Sequence, residues 1–178
     1  KLEGSKKETL FTRPEFEPVL NLGPKCGLED LTQIIKLDNL CSRLGVDSTS
    51  AASVIAFAMD LFEKKILPEN LVGDLDLSWG NAETMEKLIY QMVEGKGLGK
   101  ILSQGVRKAA QFIGKGASKY AAHIKGLELT AYHQSAIMGT ALGYAVSSRG
   151  GDYNNVYASL EYGWTKEEAI KEFGTKEA

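Results

Sequence analysis

The densest run of charged and hydrogen-bonding side chains in the sequence is Arg149-Gly150-Gly151-Asp152-Tyr153-Asn154-Asn155. An arginine fork, two glycines and neighbouring carboxylate, phenol and amide groups suit a phosphate or the edge of a pterin ring. The same residues also suit a helix C-cap followed by an Asx-rich turn, a purely structural use. Glu15 and Glu17 flank Phe16. In extended backbone residues i and i+2 share a face, so the two carboxylates would point the same way. Close, desolvated acids raise one another's pKa and suit proton transfer, whereas solvated acids on an arm do not.

Weaker candidates have simpler readings. Gly95-Lys96-Gly97-Leu98-Gly99-Lys100 is rich in glycine and lysine. It lacks the G-x-x-x-x-G-K-[ST] order and no strand pattern precedes it, so a helix-to-helix turn accounts for it. His123 and His133 are the two histidines, and neither neighbours a nucleophile elbow. Cys26 and Cys41 lie fifteen residues apart. That is no ligand spacing for a self-contained zinc or iron–sulfur site, and two reduced thiols in the core of a cytoplasmic protein are expected instead.

The elements that would position these residues are helices. Residues 1–25 lack a helical period, and Pro14 and Pro18 favour extended backbone before them, so an irregular N-terminal arm is expected. Leu31, Ile34, Ile35, Cys41 and Leu44 then mark an amphipathic helix that Gly45 stops. Asp47-Ser48-Thr49 can cap a second helix, about Thr49 to Lys64, apolar nearly all round and therefore central. Asn81 caps a third, Ala82 to Glu94. Shorter pieces follow near Leu98–Ser103 and Gly105–Ile113, with an extended stretch over 117–133. Ser135 to Ser148 reads as another buried helix, and Thr165-Lys166-Glu167-Glu168 as the capping box of a closing one. The fold class is mainly α: a multi-helix domain with an irregular N-terminal arm.

The 178 residues, 43% hydrophobic and 25% charged, can bury a real core. A net charge of −2 gives no reason to invoke nucleic acid, and no apolar run approaches the length of a membrane span. Lys1 is not a start methionine, no leader pattern opens the chain, and Gly174–Ala178 add no closing element. The sequence reads as an excerpt of a longer protein.

The order of short segments resembles one family. Pro14-Glu15-Phe16-Glu17, Leu22-Gly23 and Cys26-Gly27-Leu28-Glu29-Asp30-Leu31 resemble the G-P-E-Y-E, L-G, C-G-I-x-D-L succession of aldehyde:ferredoxin oxidoreductases. Asn39-Leu40-Cys41 and Leu44-Gly45-Val46-Asp47-Ser48-Thr49-Ser50 continue it. Trp79-Gly80-Asn81, Gly97-Leu98-Gly99, Gly105-Val106, Lys125-Gly126-Leu127-Glu128 and Leu142-Gly143-Tyr144-Ala145 follow in the family's order.

The resemblance implies the family's aldehyde ferredoxin oxidoreductase helical domain. Residues 1–130 would be the central helical domain with its arm, and 131–178 the start of the C-terminal helical domain. It implies a parent with a tungsten (or molybdenum) bis-pyranopterin, a [4Fe–4S] cluster whose cysteines lie outside this stretch, a small-molecule substrate and a ferredoxin-like electron carrier. No cofactor is expected on the isolated piece, whose partner is the rest of the parent. Glu17 matches the family's active-site glutamate. Gly45 and Asp47 match the close of a pterin-binding D-x-x-G-[LI]-D motif, whose opening position is Ser42. Arg149 and Gly150 match an R-G-x-x-H loop whose histidine position holds Tyr153. Phe16 replaces the usual tyrosine, Lys36 a glutamate that bridges subunits through iron in some members, and His133-Gln134-Ser135 a frequent D-P-R. These departures, and the run Tyr132 to Tyr157, resemble the tungsten subunit of ATP-independent benzoyl-CoA reductases.

Overall fold

A computed structural model describes residues 12–131, 138–155, 163 and 165–174. The architecture is mainly helical, and among the described residues the only β-structure is one short antiparallel pair.

Helix α1 spans Phe16–Leu22 and runs into a 3-10 turn at Pro24–Cys26. This corrects the expectation of an irregular arm through residue 25. Pro18 falls in the first turn of α1, where a backbone N–H has no intrahelical partner to lose, so proline does not stop the helix. The correction extends to Glu15 and Glu17. Glu15 is the N-cap and Glu17 lies in the first turn, so the two do not alternate along a strand. The remaining arm docks on α2 (Leu31–Leu44), where Asn39 accepts from Thr12 N–H at 2.8 Å and donates to its carbonyl at 3.1 Å. Residues 1–11 lie outside the described residues.

Asp30 caps α2, accepting from Thr32 N–H at 2.7 Å. Gly45 ends it at φ +70, a left-handed position that suits glycine. Two residues later Asp47 caps α3 (Ser48–Glu63), accepting from Ser50 N–H at 2.6 Å. The chain bends through 118° at this corner. Ala51 to Met59 and Leu61 are all buried, as an all-round apolar helix requires. α1, α2, α5 (Ala82–Glu94), α7 (Val106–Ile113) and the β-pair surround it. Each buried Leu, Ile or Met side chain contributes roughly 1.5–3 kcal/mol.

A short α4 (Glu69–Val72) interrupts the connector before α5, whose Asn81 cap accepts from Thr84 N–H at 3.1 Å. α6 (Gly97–Leu102) packs back on α5, and α7 follows. The stretch expected to be extended becomes a 3-10 turn at Ala117–Lys119 and a tight hairpin, β1 (His123–Ile124) against β2 (Leu127–Glu128). Lys125 and Gly126 both take positive φ at its turn, as a two-residue connection of the primed type requires.

Helix α8 (Met138–Val146) differs from the buried helix expected over 135–148. Thr140 and Tyr144 are buried, but Met138, Leu142 and Val146, spaced by four, are exposed along one face. Its apolar composition therefore reflects one buried and one uncovered face. His133, Gln134 and Ser135 lie outside the described residues. α9 (Lys166–Phe173) begins with both capping-box hydrogen bonds between Thr165 and Glu168. No single helix among the described residues is long and apolar enough to cross a membrane.

Candidate functional site

Glu17 is held from behind. Asn21, one turn along α1 and fully buried, donates to the Glu17 carbonyl at 2.8 Å and to Thr130 Oγ1 at 3.1 Å. Lys25 Nζ donates to Asn21 Oδ1 (3.0 Å), Ser53 Oγ (2.6 Å) and the Leu129 carbonyl (2.5 Å). One ammonium group thus ties α1 to α3 and to the strand exit after β2. Burial lowers the Lys25 pKa to about 8, against the opposing pull of Cys26 and Glu128.

Tyr153 lies in a 3-10 turn, Tyr153–Asn155, and its hydroxyl is hydrogen-bonded to the Glu17 side chain. Burial first, then the charge and hydrogen bond of Glu17, raise the Tyr153 pKa, and Glu15 adds charge in the same direction. The phenol therefore stays protonated and donates to the carboxylate. The two residues expected to act in catalysis are brought together. Arg149 points elsewhere: its Nη1 pairs with Asp152 Oδ2 at 2.8 Å, with the arginine largely exposed and the aspartate buried.

The glycines of that loop have a packing reason. Gly150 sits at φ +89, and a Cβ there would stand 2.3 Å from the Ile124 carbonyl oxygen. At Gly151 it would meet the Leu127 and Glu128 carbonyl oxygens at 2.7 and 2.8 Å. The loop backbone lies directly on the hairpin, which fixes where Tyr153 emerges.

Asp47 borders a separate cavity of about 440 Å³, with Ser50, Gly105, Gly126 and Glu128 among its polar and glycine walls and Val54, Met92 and Leu102 among its apolar ones. Glu128 is buried there, accepting from Ser50 Oγ at 3.0 Å and from Val106 N–H, at the start of α7, at 2.6 Å. Gly45 flanks this cavity without lining it. Two carboxylates beside glycine-lined backbone suit the N–H edge of a pterin, and a Cβ at Gly105 would crowd Glu128 Oε1 at 2.9 Å. These residues fit one side of such a group. Cys26 and Cys41 are both buried in the core, and burial pushes each thiol up to about 12. Among the described residues no group of three or more His, Cys, Asp or Glu side chains could hold a metal ion.

The hairpin joins the two regions. Glu128 faces the Asp47 cavity through its side chain and seats Gly151 through its carbonyl, while Leu129 and Thr130 hold Lys25 and Asn21. Sequence reasoning missed Glu128, Lys25, Asn21 and Ser50. The Lys125-Gly126-Leu127-Glu128 segment carried a signal for Glu128; nothing in the sequence singled out Lys25 or Asn21.

Residues 1–178 match the family model described as aldehyde ferredoxin oxidoreductase, domains 2 & 3. The aliphatic sulfonate oxidoreductase, WOR-like subunit, of Pyrococcus furiosus is 32% identical over 92% of this chain and 27% of its own length. The tungsten-containing aldehyde ferredoxin oxidoreductase of the same organism is 35% identical over 78% and 23%. In structure, the chain superimposes on a component of the active site complex BamBC of benzoyl coenzyme A reductase in complex with 1,5 dienoyl-CoA. The TM-score is 0.59 and the identity 33%, over 66% of this chain and 18% of that one. The chain spans about a quarter of the length of these sequence relatives. It belongs to the aldehyde ferredoxin oxidoreductase family, within the region of that family's domains 2 and 3.

Proposed function

We propose that the chain forms one wall of a tungsten- or molybdenum-pterin site in a larger oxidoreductase. Residues 1–130 belong to its central helical domain and 131–178 open the last one. The observation that carries this reading is the Tyr153–Glu17 hydrogen bond, which joins the residue matching the family's active-site glutamate to the residue standing at its loop histidine position. When bound, the metal–pterin group supplies the two-electron redox chemistry. Asp47 and Glu128 would accept hydrogen bonds from pterin N–H groups, and Gly45, lacking a Cβ, would let the backbone approach the ring. The loop of Arg149 and Gly150, with the arginine paired to Asp152, would form the neighbouring edge. Glu17 accepts a substrate proton, and Tyr153 positions its carboxylate.

The substrate is an aldehyde or other oxo compound, or an aroyl-CoA thioester, with electrons exchanged through a [4Fe–4S] cluster and a ferredoxin-type carrier in the cytoplasm. Phe16 and Tyr153, in place of the family's tyrosine and histidine, shift preference towards the aroyl-CoA class. The relative solved with a dienoyl-CoA supports that choice. The isolated chain, holding part of one wall, has no turnover of its own.

A second reading is a helical domain that has kept its fold and lost its cofactor. It is favoured by the use of Asp47 as the α3 cap, a structural duty that needs no ligand. Asp47→Ala and Glu17→Gln in the full-length protein separate the two. On the first reading Asp47→Ala lowers pterin content and Glu17→Gln lowers kcat with the cofactor retained. Unchanged activity and pterin content in both variants would leave only the second.

A further inference from the structure

Between Glu94 and Glu128 the sequence holds seven Lys or Arg residues and no Asp or Glu, in a chain whose net charge is −2. This stretch builds α6, α7 and the turns that follow. Val106, Ala109, Ala110 and Ile113 turn one side of α7 into the core. On its other side Lys108 and Phe112, one turn apart, border a groove of about 480 Å³ with Lys100, Ile101 and Gln104. Phe112 is 69% exposed, the largest uncovered aromatic surface among the described residues. Lys100 and Lys108 have no acidic partner among those residues.

An exposed aromatic in a groove that two unpaired lysines also line has the ingredients of an association surface, an apolar anchor beside charged groups. Clustered like charges repel one another, and an acidic partner relieves that repulsion while speeding encounter. The groove floor is apolar, which favours a protein carrying its own apolar side chain over a bare polyphosphate.

We propose that the α6–α7 face is the docking surface for an acidic electron-carrier protein of the ferredoxin type. Its carboxylates meet Lys100 and Lys108 and an apolar side chain covers Phe112. The proposal rests on the oxidoreductase reading above and adds where the carrier binds.

The test is stopped-flow electron transfer from the dithionite-reduced full-length enzyme to an acidic [4Fe–4S] ferredoxin, with benzyl viologen as a small acceptor that needs no docking. Lys100→Glu/Lys108→Glu is expected to lower the second-order rate constant with ferredoxin about tenfold at low salt and to flatten its salt dependence, leaving the viologen rate unchanged. Phe112→Ala lowers the ferredoxin rate without changing the salt slope, and Lys87→Glu, on α5, changes neither. Should the double reversal disturb folding, seen as a lost viologen rate, Lys100→Gln/Lys108→Gln is read in its place. An unchanged ferredoxin rate in the variants overturns the docking surface. A wild-type enzyme that reduces viologen but not ferredoxin overturns this carrier and spares the oxidoreductase reading. Failure with both acceptors removes that reading as well.

Discussion

The Tyr153 hydroxyl donates to the Glu17 carboxylate, joining the turn after α8 to the first turn of α1. The contact depends on two supports far apart in sequence: the Asn21–Lys25 brace behind α1 and the glycine seat of the loop on the hairpin. Its chemistry follows from burial, which keeps the phenol protonated, and from the carboxylate, which keeps the donor oriented.

Tyr153→Phe in the full-length enzyme removes this donor while keeping the ring. A fall in kcat/KM of about 10² is expected, the usual scale for a misplaced acid–base group. Because the folded pKa of Tyr153 lies above its ordinary value of about 10, its contribution is complete below that pH and fades as pH rises through the folded value. The wild-type alkaline limb should therefore lie above pH 10 and vanish in Tyr153→Phe. A variant with unchanged kcat/KM across the range would remove Tyr153 from the site.

Glycine substitutions separate strain from collision. Gly45 has φ +70 with open space around its Cβ position, so Gly45→Ala costs only about 1 kcal/mol of backbone strain. Gly150→Ala adds a 2.3 Å collision with the Ile124 carbonyl to its own positive φ. It should lower stability by about 3 kcal/mol and reduce activity as strongly as Tyr153→Phe, because the loop must lift from the hairpin. Thermal unfolding of both variants, and kcat/KM of Gly150→Ala, check this. Equal effects would argue against the loop's seat as the positioning device.

Glu128→Gln keeps shape and removes charge. The side chain still reaches Ser50 and Val106 N–H, but the negative charge at the start of α7 is lost. A destabilisation of about 1–2 kcal/mol is expected. On the proposed reading pterin content falls as well. Calorimetry and pterin fluorescence after release measure the two separately. Full pterin content with the expected loss of stability would confine Glu128 to a structural role.

Much of the scaffold was legible because its signals are local. Asp30, Asp47, Asn81 and Thr165 cap helices as their sequence positions imply, and Gly45 stops α2. α1 was hidden because Pro18 reads as a helix breaker unless it falls in the first turn. The exposed face of α8 was hidden because composition reports how apolar a helix is, and burial depends on what packs against it. In the site, motif order singled out Glu17 and Tyr153 as candidates, but their contact depends on tertiary packing that no spacing encodes. Lys25 was illegible for the same reason: its three oxygen partners come from α1, α3 and the segment after β2.

Cys26 and Cys41 should resist alkylation. Burial raises both thiols to about 12, well above an ordinary cysteine, so the thiolate fraction at pH 8 is small and access is blocked. The sign for stability follows. Each folded pKa is raised, so the contribution of the neutral buried thiol is complete below about pH 9 and is lost as pH rises towards 12. Iodoacetamide labelling at pH 8, read by mass spectrometry of the native full-length protein, should leave both cysteines unmodified until denaturant is added. Rapid native labelling of either would contradict their burial.

The most direct measurement is metal and pterin analysis of the full-length protein purified without oxygen, wild type beside Asp47→Ala. The expected result is tungsten or molybdenum together with pterin in the wild type and a marked loss of both in Asp47→Ala. A wild-type protein containing neither metal nor pterin would contradict the account at its centre.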